Sequence, residues 1–544
     1  DRRILPGGLS SLPSPHGVTF RVTRGVTLCV TPCSQTVDTG YAKGEHKLLG
    51  VQASFMNLPI DMRFDHDVIQ LLAIVRHPAV MRWGQAGVFC GVDKKGERIA
   101  DGPTISDDFQ EGAKGRWTKL LNTDGSEEWW RIVPYLICVC ADYPQAQGML
   151  PFNESASGAY CPCRGCNYRQ DRSMRHEKPH SFFEDSRTWK LRSLQRLLAD
   201  IERWRQRGDP GSEMQDAGVN KLVYTLCADF FPHINPTNIA PQDIMHNFPD
   251  GITRHEAAWL LYMLHSRKHL SLSQVNDAIA RHKWPRDCRV PKIPASVEDG
   301  ATGRFPRSDA TIHMSASQTI TFALHRYAPT PPGLASTLAA HRSLCNACVT
   351  HCVTHCVTRC AVCSVSLLSP LLSESAKQTT YWQSWVAHVR VLEMSLRTEY
   401  TLADVTTLDD CIQRHHKLFF KVSPAPSSNR SLLLFVVAAY ARCLLLTTPC
   451  LLLLLTPRRR SLQVKEYDGL WKPKHHFITH TPIDLLRFGP PRGFWCMSFE
   501  GFNKLIKQAA ELSNYRAEDV FVLEHWVFKS ARMLRRKRDR AWCA

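Results

Sequence analysis

The chain has 544 residues, a formal net charge of +18 and 21 cysteines. That length provides for a large core and two to four domains, and the basic balance points to a polyanionic partner, nucleic acid ahead of a membrane surface. Asp1-Arg2-Arg3 leads into Pro, Gly and Ser and not into an apolar segment, so no secretory leader is expected, and the missing initiator Met suggests a fragment. The odd-numbered, clustered cysteines then read as reduced thiols and metal ligands, which argues against a disulfide framework.

Residues 1–36 show no periodicity and repeat a Val-Thr unit, so they read as irregular and of low complexity. From Lys43 the character changes. A strand is expected over 47–55, a short amphipathic helix over 67–76, and loops with one or two short elements over 80–130. Ile132 to Ala141 is a nearly unbroken apolar run rich in Val, Ile and Cys, the pattern of a strand buried on both faces at the centre of an α/β sheet. It stops at Asp142. A carboxylate is costly to bury, and the carboxyl ends of strands in open α/β sheets are where ligands bind. Asp142 is therefore a candidate functional acid, with a plain strand-end turn residue as the alternative.

Cys161-Pro-Cys163-Arg-Gly-Cys166 follows, with metal-ligand spacing. Cys163 and Cys166 would hold Zn²⁺ at about 2.3 Å in a four-ligand site, leaving Cys161, His176, His180 and His246 open as its other ligands. Helices are expected over 189–207, 254–268 and 381–397, with Asp243-Ile-Met-His246 between the first two.

Two segments break this pattern. Cys345 to Cys360 repeats Cys-Val-Thr-His and has soft-metal composition, but a perfect short repeat reads better as a repeated DNA tract than as a selected site. Residues 431–455 match a membrane span of about 20 residues in length, yet Arg442 and Pro449 interrupt them and the Leu run is low in complexity, so a membrane anchor is the lesser reading. Residues 1–36, 336–375 and 428–462 are all expected to pack poorly. Further on, Trp471 to His480 is His-rich and strand-like. Phe499-Glu500 opens a helix whose dipole favours a first-turn carboxylate. The basic run 529–540 suits phosphate contact or nuclear import.

Taken in order, Asp142, Cys163-Arg164-Gly-Cys166, Asp243-Ile-Met-His246 with Asp250-Gly251, and the late series Lys474-His-His-Phe477, His480, Pro482, Gly489-Pro490 and Phe499-Glu500 form a recognisable pattern. It resembles the DDE transposases of the Kyakuja–Dileera–Zisupton and CACTA groups over most of Lys43 to Arg532, as a decayed copy. The resemblance implies an α/β, RNase H-like mixed sheet with a long helical insertion and a small zinc-binding segment. The divisions are then 1–36 irregular, 37–150 the first part of the RNase H-like domain, and 151–188 the Cys-rich zinc segment. A helical insertion over 189–335 and 376–427 is split by the repeat at 336–375. The Leu-rich stretch 428–462 and a C-terminal part with basic tail, 463–544, complete the chain.

In such a protein three carboxylates hold two Mg²⁺ ions about 3.5–4 Å apart for phosphodiester hydrolysis and strand transfer. Asp142 would be the second acid and Glu500 the third, with Asp38 the nearby upstream candidate for the first. Structural Zn²⁺, DNA as partner, a homo-oligomer and a nuclear location go with this reading. The alternative is a non-catalytic, zinc-containing DNA-binding protein.

Overall fold

A computed structural model describes residues 26–33, 48–55, 69–76, 190–208, 211–219, 234–282, 312–324, 368–422, 472–512 and 521–529, most of 104–168, and a few positions between these. Strands β1 (Val26–Cys33), β2 (Leu48–Phe55) and β3 (Gln70–Arg76) precede a hairpin of β4 (Arg116–Leu121) and β5 (Glu127–Ile132), which leads directly into β6 (Pro134–Val139). The main sheet has the order β3-β2-β1-β6. β1 runs antiparallel to β2, with Cys29 opposite Ser54, and parallel to β6, with Val30 opposite Val139.

Two expectations are corrected here. The Val-Thr stretch in residues 1–36 is no loose segment: over Val26–Cys33 it is a strand hydrogen-bonded on both sides. β-Branched Val and Thr favour the pleated backbone, so a repeat that looks uninformative has the propensity of a strand. Gln70–Arg76 is likewise a strand and not an amphipathic helix, with Val75 opposite Leu49 of β2.

Helix nevertheless dominates the described residues. Helices α1 (Tyr143–Met149) and α2 (Leu194–Arg207) follow β6, and the short α3 (Ile244–Asn247) runs through a π-turn into α4 (Thr253–Ser266). Next come α5 (Leu272–Arg281), α6 (Ala316–Leu324), α7 (Thr380–Ser395) and α8 (Leu402–Val422). The late part supplies α9 (Pro473–Phe477), α10 (Thr481–Phe488) and α11 (Met497–Leu512). The largest core lies between helices: Trp259 and Leu260 of α4, Trp382, Trp385 and Leu392 of α7, and Leu408, Ile412 and Phe419 of α8. Each such side chain contributes about 1.5–3 kcal/mol on burial. The α/β, RNase H-like expectation is therefore corrected. The described residues are mostly helical, their largest core lies between helices, and the sheet is a minor part of them.

β6 lies at an edge of the described sheet, not at its centre. Its far side is covered by the chain near Ile239, whose carbonyl accepts from Val139 N at 3.0 Å. The residues at the end of the strand and just beyond it still alternate between two cores, as an apolar run buried on both faces should. Cys138 and Cys140 pack with Phe499, Phe502 and Ile506 of α11, while Val139 and Ala141 pack with Leu197, Ile201 and Trp204 of α2. Gln52 of β2 donates to Asn503 of α11 at 2.8 Å, tying that helix to the sheet. This packing brings Asp142 and Glu500 toward one another.

Among the described residues no helix is long and apolar enough to cross a membrane. The Leu-rich stretch 431–455, the Cys-Val-Thr-His repeat and Asp38 lie outside the described residues. Of the segment 336–375 expected to pack poorly, the end at Leu368 and Leu372 is buried in the helical core.

Candidate functional site

Cys163 and Cys166 stand on a tight turn whose thiols meet two histidines from the far end of the chain. Cys163 Sγ lies 3.2 Å from His480 Nε2, Cys166 Sγ lies 3.3 Å from His476 Nε2, and the two Nε2 atoms are 3.2 Å apart. All four ligand atoms fall within 4.8 Å of one another. A tetrahedron with Zn–S of about 2.3 Å and Zn–N of about 2.0–2.1 Å has S–N and N–N edges of roughly 3.3–3.6 Å, so the observed set is close to a closed structural site. The donors are soft and buried, which fits zinc. Burial by itself would raise the Cys163 thiol, but hydrogen bonding with Cys166 and the neighbouring His480 and His476 hold it well below the usual thiol range. Burial raises the Cys166 thiol.

Two of the other expected zinc ligands, Cys161 and His246, are corrected. Cys161 is buried next to the turn but lies outside this group of four, and its carbonyl accepts from Arg192 at 3.0 Å. Both nitrogens of His246 are engaged elsewhere, as described below. His176 and His180 lie outside the described residues. His476 and His480 were missed as ligands because Trp471–His480 read as a strand. In the structure His476 lies in α9 and His480 ends the 3₁₀ turn after it, so residues four apart share a face.

The turn between the thiols also holds the next motif in place. Arg164 is fully buried and donates from Nε to Ala240 O at 2.8 Å and from Nη2 to Pro241 O at 2.6 Å. One residue on, Gln242 N donates to Asp484 of α10 at 2.8 Å. Arg192 clamps the turn from outside, donating to the carbonyls of Cys163 at 2.8 Å and Cys161 at 3.0 Å. Tyr143, next to Asp142, stacks on Phe477 with centroids 4.8 Å apart and donates to Pro162 O at 2.6 Å. The cysteine turn therefore braces both the Asp142 helix and the segment entering Asp243.

Asp142 lies just beyond β6 and caps α1, accepting from Gln145 N at 2.9 Å. Burial raises its carboxyl above the ordinary range, against the hydrogen bond from Gln145 and the attraction of His246, while Asp243 and Glu500 add to the rise. Asp243 caps α3 in the same way and is almost wholly buried. Its Oδ1 accepts from Cys496 N at 2.9 Å, and its Oδ2 contacts His246 N at 3.0 Å and His246 Nδ1 at 2.5 Å. His246 Nε2 reaches Glu500 Oε1, in the first turn of α11, at 3.0 Å. Burial opposes a charged imidazole, but the bonds to Asp243 and Glu500 outweigh it and lift His246 to about 10. Lys474 Nζ donates to His246 O at 2.7 Å and lies in the field of Asp250, Asp243 and Asp142.

The structure thus gathers Asp142, Asp243, His246 and Glu500 into one polar site from three elements, α1, α3 and α11. Cys496 lies close enough to Asp243 and His246 to form a further group of ligand-type atoms, although Asp243 already accepts on both oxygens. Asp38 lies outside the described residues, and β1, with the sequence VTLCVTPC, has no carboxylate. The chain matches no family model and no curated protein.

Proposed function

We propose that this chain acts on DNA as a magnesium-dependent strand-cleaving and strand-joining protein of the transposase kind, working at Asp142 and Glu500. The observation that carries the reading is that both distant acids lie in the field of the His246 imidazolium, Glu500 in contact at 3.0 Å and Asp142 through its charge. Asp142 Oδ1 is occupied by the Gln145 N–H and Glu500 Oε1 by His246, so the second oxygen of each is the one available to a cation. Hard carboxylate oxygens in that number suit Mg²⁺, which is held by one or two carboxylates and retains several waters. Bound there, the ion would polarise a phosphodiester oxygen and activate a water or 3′-hydroxyl.

The chain's own groups have distinct parts in this scheme. His246 holds one proton toward Asp243 and the other toward Glu500, fixing the Glu500 carboxylate. Asp243 keeps the imidazole in orientation and cationic. Lys474 supplies positive charge beside the acids, and the net charge of +18 favours a DNA partner through phosphate contacts. The Cys163–Cys166–His476–His480 group, with Zn²⁺, braces the site from one side. A nuclear location and assembly as a homo-oligomer accompany this proposal.

The test is nicking of supercoiled plasmid by the full chain in Mg²⁺. Asp142→Asn and Glu500→Gln should each lower the rate at least about 100-fold without changing DNA affinity. Cleavage unaffected by both substitutions would overturn the assignment. A second reading, DNA binding without cleavage, is favoured by two observations: β1 has no acid, and Asp243 is spent on His246 and Cys496. Salt-dependent DNA binding with no nicking in any divalent metal would establish that reading instead.

A further inference from the structure

Away from these residues, α4, α7, α8 and α9 enclose a second cluster of ionisable groups. Glu256 of α4 is 3 % exposed, and His388 of α7, His415 of α8 and His475 of α9 are completely buried around it. His415 Nε2 lies 2.9 Å from Glu256 Oε2, and His388 Nδ1 lies 3.5 Å from the same oxygen. His475 Nε2 is 3.1 Å from the other oxygen, Oε1. A carboxylate in a helical core is expensive, and an apolar residue would fill the same space at no such cost. The cluster calls for a reason.

Tautomers supply one. His475 Nδ1 lies 3.1 Å from Lys472 N and 3.2 Å from Lys472 O; with Nδ1 accepting from that N–H, Nε2 carries the hydrogen and donates to Glu256 Oε1. That orients the carboxylate and leaves Oε2 facing His415 and His388. His388 Nε2 is 2.8 Å from the buried Thr253 hydroxyl. With that nitrogen donating to Thr253, Nδ1 presents a lone pair to Oε2. Two acceptors facing at 3.5 Å make no hydrogen bond, but this is close to the roughly 3.4 Å edge between nitrogen and oxygen ligands of a tetrahedral zinc ion. The Thr253 contact is the outer hydrogen bond that a metal-binding histidine usually makes through its second nitrogen. One atom from each of Glu256, His388 and His415 lies within 4.8 Å of the others.

We propose that Glu256, His388 and His415 bind a divalent transition metal of the zinc class, forming a three-ligand centre separate from the cysteine site. Two imidazoles and one carboxylate are a recognised zinc donor set. The ligands come from three different helices, so the ion links α4, α7 and α8 at the middle of the helical core, with His475 and Thr253 fixing the ligands from behind.

Zinc content of the full-length protein tests this. His388→Gln/His415→Gln should hold one zinc fewer per chain than the wild type. When both are produced in cobalt, the thiolate-to-cobalt band from Cys163 and Cys166 should be equally strong in the two proteins. Thr253→Val keeps all three ligands and should weaken the affinity for this one zinc about 10–100-fold in competition with a chelator, which gives a readout even where the double variant misfolds. Equal zinc content in the double variant, or unchanged zinc affinity in Thr253→Val, would overturn the proposal and leave the cluster a hydrogen-bonded network.

Discussion

His246 shows how much one side chain can depend on its surroundings. Held between Asp243 and Glu500, it has its pKa raised from 6.5 to about 10 in the folded chain. A raised pKa contributes stability that is complete below the unfolded value near 6.5, declines as pH rises, and is gone above the folded value. His246→Asn should therefore be less stable than the wild type at pH 6, with the difference in Tm shrinking to nothing as pH passes about 10. A difference in Tm independent of pH would show that the imidazole is neutral. At the zinc turn, replacing Cys163 and Cys166 with Ser should remove one zinc per chain by metal analysis and lower the Tm, because metal binding there is coupled to folding. The same pair should also weaken any activity of Asp142, through Tyr143 and Arg164.

The order of Asp142, Cys163, Cys166, Asp243, His246 and Glu500 was legible because each belongs to a short motif of unusual residue types. His476 and His480 were visible as histidines but not as ligands. Four residues along a strand are about 13 Å apart, too far to share an ion, whereas one helical turn brings them within reach. The Glu256 cluster left no local signal at all, since its members come from four helices and meet only in the folded core.

Gly251 is the clearest case of an element constrained by its neighbours. A Cβ there would lie 2.5 Å from His246 O and 2.8 Å from Lys474 Cδ. The backbone contact cannot be relieved by rotating a side chain. Gly251→Ala should cost on the order of 1–3 kcal/mol and displace Lys474 from His246, which denaturant midpoints and the pH profile of any activity would both register. β1 makes a complementary point. Its Val-Thr sequence hid a strand whose partners are β2, next along the chain, and β6, far away in the sequence, and only those partners distinguish it from a low-complexity tail. Val30→Pro removes a backbone donor between two neighbouring strands and should destabilise the fold by about 1–3 kcal/mol. A stability equal to the wild type would return the segment to the irregular tail first expected. In α2, Leu197, Ile201 and Trp204 are buried, while Leu198 and, just before the helix, Leu191 are exposed.

Across the whole molecule, the sheet and the helical core meet at the polar site. α11 packs one face against Cys138 and Cys140 and presents Glu500 at its start, while α3 and its N-cap deliver His246 and Asp243 from the helical side. The helical share was underestimated because the sequence's strand signals sit close to the most conspicuous motifs, while α8 (Leu402–Val422) carries no motif and was read only as part of the helical insertion over 376–427. Its packing against α7 is central, and Trp385→Ala should cost about 3–5 kcal/mol, read as a lower urea midpoint with an unchanged slope. The claim on which the account depends most is that Asp142 and Glu500 jointly hold a divalent cation. Mn²⁺ titrated into zinc-loaded, full-length protein and followed by electron paramagnetic resonance measures this without requiring any activity. The wild type should bind Mn²⁺ in competition with Mg²⁺, and Asp142→Asn and Glu500→Gln should each lose that binding while keeping their zinc; Mn²⁺ binding of equal strength in all three proteins would contradict the account.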